Sequence, residues 1–370
     1  MRLLINAIML SKNNTGLGMF SYHVLKYLDP ILSSNNIDYN IICYDKEYLP
    51  DSCKSKALIL KDKSKLTRLS SIQNIVKNNK PDLFFSLTQH GVKLKGIKQI
   101  ITIHDLTPLL FPKNRIHQYF YYKFVLPRIA KYSSKILTVS ENTKKDIVKY
   151  LKISESNIDV VYDALPELSN NKNVDEKSVL DKYNIKKEKY FSIIGIHYPY
   201  KNIEVVIDCF HKYEKELSNF KVVIIGNDKN TYGESLKKKI HKYNLDSKFV
   251  FTSYISEEEK KVIINNSISV IFPSLYEGFG LPILEAYNAR VPLILSNASS
   301  LPEVAKGGAI LFNGKDVDEL YSSIKKVISI SREDRDKLTD EAFKICESYN
   351  WQKISEKIFS SIISVVKVWL

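Results

Sequence analysis

The chain has 370 residues, 44% hydrophobic and 26% charged, with 55 basic against 41 acidic side chains and a formal charge of +14. These proportions exclude disordered and collagen-like chains and leave two domains or one large one. The longest purely apolar runs, such as 7–10 and 222–225, fall far short of the roughly 18 residues that a bilayer crossing needs, which excludes a membrane-spanning helix.

Short apolar runs alternate with longer amphipathic segments. The opening MRLLINAIML predicts a buried first strand over 3–10 rather than a signal peptide, because Asn6 interrupts the run and no small-residue cleavage site follows. A helix over 20–28 follows a turn containing Gly16 and Gly18. Strands are expected at 100–103 and at 135–139, the latter ending at Ser140-Glu141-Asn142, which can cap a helix running to about Leu151. Another strand is expected at 159–162. The polar stretch 165–180 breaks the rhythm and reads as an interdomain linker. The alternation then restarts, with strands at 190–195, 220–225, 249–251, 269–272, 292–295 and 309–311. Helices are expected between them at about 202–217, 232–243, 257–265 and 282–289. This pattern predicts two doubly wound α/β domains with parallel sheets. The expected boundaries are 1–164 for the first domain, 165–180 for the linker and 181–351 for the second, with an apolar-faced helix over 352–370 closing the chain.

Charge is unevenly spread. Residues 1–180 hold 27 basic and 16 acidic side chains, a net of +11, whereas 181–370 hold 28 and 25, a net of +3. The first half therefore suits an anionic partner, although a solvated Lys/Asn/Ile-rich surface explains the excess equally well. Cys43, Cys53, Cys209 and Cys346 show no CxxC or zinc spacing and fit a reducing compartment. No metal-ligand cluster is visible.

Ligands in open parallel sheets bind at the carboxyl ends of strands, so the residues after each strand carry the chemistry. Gly16 and Gly18 let backbone approach a ligand at a helix entry, or simply make a tight turn. His104 after its strand can donate a hydrogen bond to a substrate hydroxyl, with Asp105 orienting the ring; a histidine satisfied by local backbone is the competing reading. Lys201, just ahead of a helix, can meet a diphosphate or lie on the surface. The most informative segment runs from Phe272 through Glu277-Gly278-Phe279-Gly280-Leu281-Pro282 to Glu285-Ala286. Here two glutamates stand eight positions apart, the first in a glycine-rich loop and the second in the helix that the loop opens. Exposed N–H groups there suit a phosphate or sugar, and a carboxylate accepts from paired hydroxyls such as those of a ribose.

At these residues the sequence resembles the retaining, GT-B-fold family-4 glycosyltransferases over nearly its whole length. The resemblance takes in the Gly16/Gly18 loop, His104-Asp105, Val139-Ser140, Lys201-Asn202, the EGFGLPILE segment, Ser300-Leu301-Pro302-Glu303-Val304 and Tyr349-Asn350-Trp351. It implies two Rossmann-like domains facing a cleft, with a last helix crossing back onto the first. It also implies metal-independent transfer of a hexose from a nucleotide sugar, with retention at the anomeric carbon and no cofactor beyond that co-substrate. Glu285 would hold the ribose and Lys201 the diphosphate. Glu277 and the backbone of Phe279, Gly280 and Leu281 would hold the sugar, His104 would reach it from the first domain, and Gly16 and Gly18 would pack against the donor. The leaving phosphate would serve as base, so Glu277 and Glu285 are not a glycosidase-type pair. The sequence departs from the family at Tyr200, where many members carry Arg, and at Ile196, where some do. Losing one such cation would weaken donor binding roughly tenfold, with His197 or Lys229 as substitutes.

The segment 111–124 interleaves aromatic and basic residues. It suits an anionic membrane surface, or equally a solvated helix with a core-facing aromatic stripe; no nucleic-acid module accompanies it. The expected enzyme is thus cytoplasmic, peripheral at the inner face of the cell membrane, and extends a lipid-linked or cell-surface glycan such as an O-antigen. GDP-mannose is its expected donor, because 104–109 look most like mannosyl- and rhamnosyl-type members. The alternatives are a noncatalytic partner subunit of the same fold and a soluble glucan- or sucrose-type synthase.

Overall fold

The computed structural model describes residues 1–12, 16–62, 64, 67–94, 96–113, 115–166 and 174–367. The chain divides into two compact units, Met1–Pro166 with Tyr349–Leu370, and Glu167–Ser348. The first unit is built on strands β1 (Arg2–Asn6), β2 (Asp38–Cys43), β3 (Ala57–Ile59), β4 (Leu83–Ser86), β5 (Lys98–Ile103), β6 (Lys135–Thr138) and β7 (Ile158–Val160). The second holds β8 (Tyr190–Ile194), β9 (Lys221–Ile225), β10 (Phe249–Phe251), β11 (Ser269–Phe272), β12 (Leu293–Ser296) and β13 (Ile310–Phe312). The orders are β3-β2-β1-β4-β5-β6-β7 and β10-β9-β8-β11-β12-β13, and every strand pairing is parallel. Each order reverses once, between β1 and β4 and between β8 and β11, giving each sheet a switch point where the loops after two neighbouring strands diverge.

Near-continuous apolar runs make these strands, as expected for sheets covered on both faces; β4, β11 and β12 are buried at every residue. Asn6, which interrupts the first apolar run, ends β1 and is itself buried. Its amide donates to Ser86 Oγ at 3.0 Å and to the His90 carbonyl at 3.2 Å, tying the ends of β1 and β4 together. The strand expected over 3–10 therefore stops at Asn6. Ala7, Ile8 and Leu10 remain buried in the turn that follows.

The capping expectation at Ser140 is met: its Oγ accepts the Thr143 N–H at 3.1 Å, opening a helix over Glu141–Asp146 that continues as a π-turn through Leu151. The stretch 165–180 is not a linker throughout. Asp175 accepts the Ser178 N–H at 3.0 Å and starts a helix over Glu176–Lys182, whose Val179 is buried; residues 167–173 lie outside the described residues. A polar composition hid an N-cap followed by one apolar anchor.

The last helix, Trp351–Lys367, belongs to the first unit. Ile354, Ile358, Ile362 and Val365 repeat at helical spacing and are buried. The Trp351 ring stacks on His23 at 5.0 Å and meets Phe20 edge-on at 5.8 Å, both on the helix Gly16–Ser34. Its Nε1–H donates to the Leu165 carbonyl at 2.8 Å. Ser361 donates to Asp159 at 2.7 Å, and Lys98 Nζ reaches the Val365 carbonyl at 3.0 Å near the helix C-terminus, where a cation is favoured. Among the described residues no helix is long and apolar enough to cross a membrane.

Candidate functional site

In the second unit the switch point lies between β8 and β11, so the segments after these two neighbouring strands border one crevice. Lys201 follows β8 and Glu277 follows β11. Their side chains meet, Nζ to Oε1 at 2.7 Å, with only 16% and 14% exposed. Lys201 Nζ also stands 5.5 Å from the centre of the Phe272 ring, a cation–π contact that supports a partly desolvated ammonium. The backbone carries Lys201 there by a specific turn. Gly195, at φ +90°, ends the strand in a conformation that an L side chain resists, and Lys201 passes over it with Cε and Nζ 3.7 Å from where a Cβ would sit. Asn202 takes φ 56°, a region Asn tolerates, and its amide donates to the Pro273 and Gly314 carbonyls at 3.0 and 2.7 Å. Asn202 is the strut of this turn.

Gly280, at φ +107°, opens the helix Leu281–Asn288; a Cβ there would lie 2.9 Å from Leu301 Cδ2. The backbone therefore requires glycine here, and a Cβ would also press on the buried Leu301 side chain. Phe279 is buried. Ser300 Oγ donates to the Glu277 and Phe279 carbonyls, both at 3.0 Å, and Ser299 Oγ donates to the Glu277 carbonyl at 2.7 Å. The loop after β12 thus clamps the glycine-rich loop after β11.

Glu285 sits on that helix, and its Oε1 accepts from Lys260 at 3.0 Å. Its Oε2 is buried and has no hydrogen-bond partner among the described residues. Two buried hydroxyls at the same end of the sheet, Ser274 Oγ after β11 and Ser296 Oγ at the end of β12, also have none there. Buried acceptors left in this state are costly and call for a polar partner. A mobile-proton ligand such as a polyol supplies one.

Ile196 and Tyr200, the departures from the family pattern, have different fates. Ile196 is fully buried in the core of the second unit, so its side chain packs rather than faces a ligand. Tyr200 stacks on Tyr198 with centroids 5.7 Å apart and planes 14° apart. The candidate substitutes His197 and Lys229 are both exposed.

In the first unit, His104 directly follows β5 and is partly buried. Its Nε2–H donates to the Leu87 carbonyl at 3.0 Å, and the Phe20 ring meets it edge-on at 4.7 Å. Desolvation pulls its pKa below the ordinary histidine value, against smaller opposite pulls from the Leu87 carbonyl and the Asp105 charge. The ring is therefore neutral, protonated at Nε2, and offers Nδ1 as an acceptor. The nitrogen left for a ligand is therefore an acceptor where the sequence suggested a donor, and Asp105 makes no hydrogen bond to the ring. Asp105 Oδ1 instead accepts the Thr107 N–H at 2.8 Å and the Thr107 hydroxyl, closing a local turn. Gly16 is exposed at the first helical residue, with nothing within 4 Å of where a Cβ would be, whereas Gly18 is buried. The loop residues 13–15 lie outside the described residues. Among the described residues no cluster of three or more His, Cys, Asp or Glu could hold a metal ion.

Sequence reasoning missed Asn202 as a strut, the Ser299 clamp, the Leu87 carbonyl and Lys260. The first had a signal, an Asn between a strand end and a helix. The Leu87 carbonyl and Lys260 had none, because a backbone oxygen and a lysine in a charged run look like any others.

Two doubly wound sheets, a site built where the second sheet reverses its order, and a last helix returned to the first unit define the GT-B class. Family models agree: Glycosyl transferases group 1 matches residues 175–345 and Glycosyltransferase Family 4 matches residues 56–165. The chain belongs to the group 1, family-4 glycosyltransferases, enzymes that move a sugar from a nucleotide-sugar donor to an acceptor. It is 28% identical over 337 residues to the O-antigen chain mannosyltransferase RfbU of Salmonella typhimurium, covering 88% of this chain and 90% of that protein. It is 27% identical over 253 residues to the serotype-specific mannosyltransferase WbdA of Escherichia coli, covering 66% of this chain but 30% of that protein. The fold is shared with Anabaena HepE, solved in complex with UDP-glucose, at a TM-score of 0.76 and 15% identity over 98% of this chain and 99% of that one.

Proposed function

We propose that this glycosyltransferase moves mannose from GDP-mannose onto a lipid-linked or cell-surface glycan of the O-antigen type, with retention at the anomeric carbon and without a metal ion. The observation that carries the reading is the buried Lys201–Glu277 pair after β8 and β11, together with the unsatisfied Glu285 oxygen on the helix that the same glycine-rich loop opens. Likeness to two mannosyltransferases supports the choice of sugar.

In this reading Glu285 Oε2 accepts from the ribose hydroxyls. Lys201 shares its charge between Glu277 and the diphosphate, so a side-chain cation does what a divalent metal does elsewhere. Glu277 and the backbone of Phe279, Gly280 and Leu281 hold the sugar. As the family resemblance implies, His104 takes a sugar hydroxyl, here at Nδ1, and Gly16 and Gly18 pack against the donor. The acceptor oxygen bonds to the anomeric carbon as the bond to the diphosphate oxygen breaks, and the acceptor proton passes to the departing diphosphate. No side chain forms a covalent bond. Exposed Ile116, Phe120 and Phe124 beside exposed Lys113, Lys123 and Arg128 support peripheral contact with an anionic membrane.

The test is turnover of GDP-mannose with an O-antigen-type acceptor, following the product's anomeric proton by NMR in EDTA and in Mg2+. An α-linked product formed equally in both is expected. A β-linked product contradicts retention, and activity lost in EDTA but restored by Mg2+ contradicts metal independence.

A further inference from the structure

The site as described leaves Lys260 without a role. It lies in the run Glu257-Glu258-Glu259-Lys260-Lys261, which a solvated helix end would present to water. Instead its side chain is 18% exposed, with Nζ 3.0 Å from Glu285 Oε1 and 2.5 Å from Glu257 Oε2. Desolvation alone would push a lysine toward neutrality. The neighbouring carboxylates, Glu285 first, outweigh it and hold the pKa above the ordinary lysine value, so the ammonium persists.

The consequence lies in how the two oxygens of Glu285 are divided. A carboxylate can accept along several lone-pair directions, and its side chain turns about three torsions. Here one oxygen is anchored by a charge-assisted bond and the other is buried without a partner among the described residues. An anchored, half-satisfied carboxylate is preorganised for one more donor pair, and vicinal hydroxyls match that demand. We propose that Lys260 is a positioning residue for the donor nucleotide: by holding Glu285 Oε1 it presents Oε2 to the ribose hydroxyls. Lys260 touches no substrate itself. This proposal rests on the reading that Glu285 takes the ribose.

The readout is the preference for ribose, which a merely structural role would leave alone. Affinities of GDP and 2′,3′-dideoxy-GDP, and of the corresponding uridine pair, are measured for wild type, Lys260→Met and Lys260→Arg, with melting temperatures to confirm folding. Wild type is expected to prefer the ribose form of the cognate base by about tenfold to a hundredfold, the range of charge-assisted hydrogen bonds. Lys260→Met should bring that ratio close to one by weakening only the ribose form, and Lys260→Arg should restore it. A ratio unchanged in Lys260→Met overturns the proposal, as does an equal loss for both forms. If wild type binds these nucleotides without any ribose preference, the reading of Glu285 itself fails, and the proposal with it.

Discussion

Asp163 shows how a single side chain can set a pH response. It is buried just before the chain leaves the first unit, and its Oδ1 accepts the Ala164 N–H at 2.8 Å. Burial pushes the carboxyl up to about 7, with that hydrogen bond opposing. The native state therefore keeps a proton that the unfolded chain gives up near pH 3.9, so stability falls as pH rises from about 4 to about 7 and is level above. Asp163→Asn, neutral and of the same shape, should melt higher than wild type at pH 8 and converge with it below about pH 4. A variant that melts lower at pH 8 would show that the carboxylate itself is needed. Nothing in the local sequence announces this group, because burial is a property of the assembled fold. Gly280 and Glu285 were legible, since a glycine at a loop–helix junction and a carboxylate one turn on carry their chemistry in their identity. The tautomer of His104 was not, because the carbonyl that fixes it lies 17 positions away in the sequence.

Among the elements, the apolar runs announced most strands after residue 98, since strands buried on both faces need little context. Strands β2, β3 and β4 were not anticipated from the sequence; β3 has no residue fully buried, and only three residues form it. The first helix runs over Gly16–Ser34, well beyond the expected 20–28, and contains Pro30. Tertiary burial of Leu28 and Leu32 on either side of that proline outweighs its local cost. The closing helix shows the same dominance of packing. Trp351 is its anchor, with ring contacts to Phe20 and His23 and a hydrogen bond to Leu165. Trp351→Ala should destabilise the first unit by about 3 kcal/mol, as large-to-small core replacements do. In calorimetry, the expected result is a lowered transition for the first unit, with the second unit's transition unmoved. Equal lowering of both would contradict the assignment of this helix to the first unit.

For the whole molecule, charge and aromatic exposure bear on location. The stretch 111–124 divides its rings: Tyr122 is buried and Tyr121 donates to the Gln89 carbonyl at 3.0 Å, while Phe120 and Phe124 are exposed and stack at 6.0 Å. Tyr122 fits the core-facing stripe, while the exposed Phe120 and Phe124 leave the membrane reading to experiment; Asn114 lies outside the described residues. Wild type should pellet with vesicles rich in anionic lipid at low salt, and Phe120→Ser/Phe124→Ser should not, since apolar insertion and charge act together. Pelleting that survives the double replacement would leave charge as the only cause. In the second unit, a nucleotide that binds the native state alone raises the melting temperature by mass action. The most direct measurement is thermal shift with GDP, UDP, ADP and dTDP on wild type and Glu285→Ala. The expected result is a shift with GDP that Glu285→Ala abolishes. A shift with none of the four, or one that Glu285→Ala keeps in full, would contradict it.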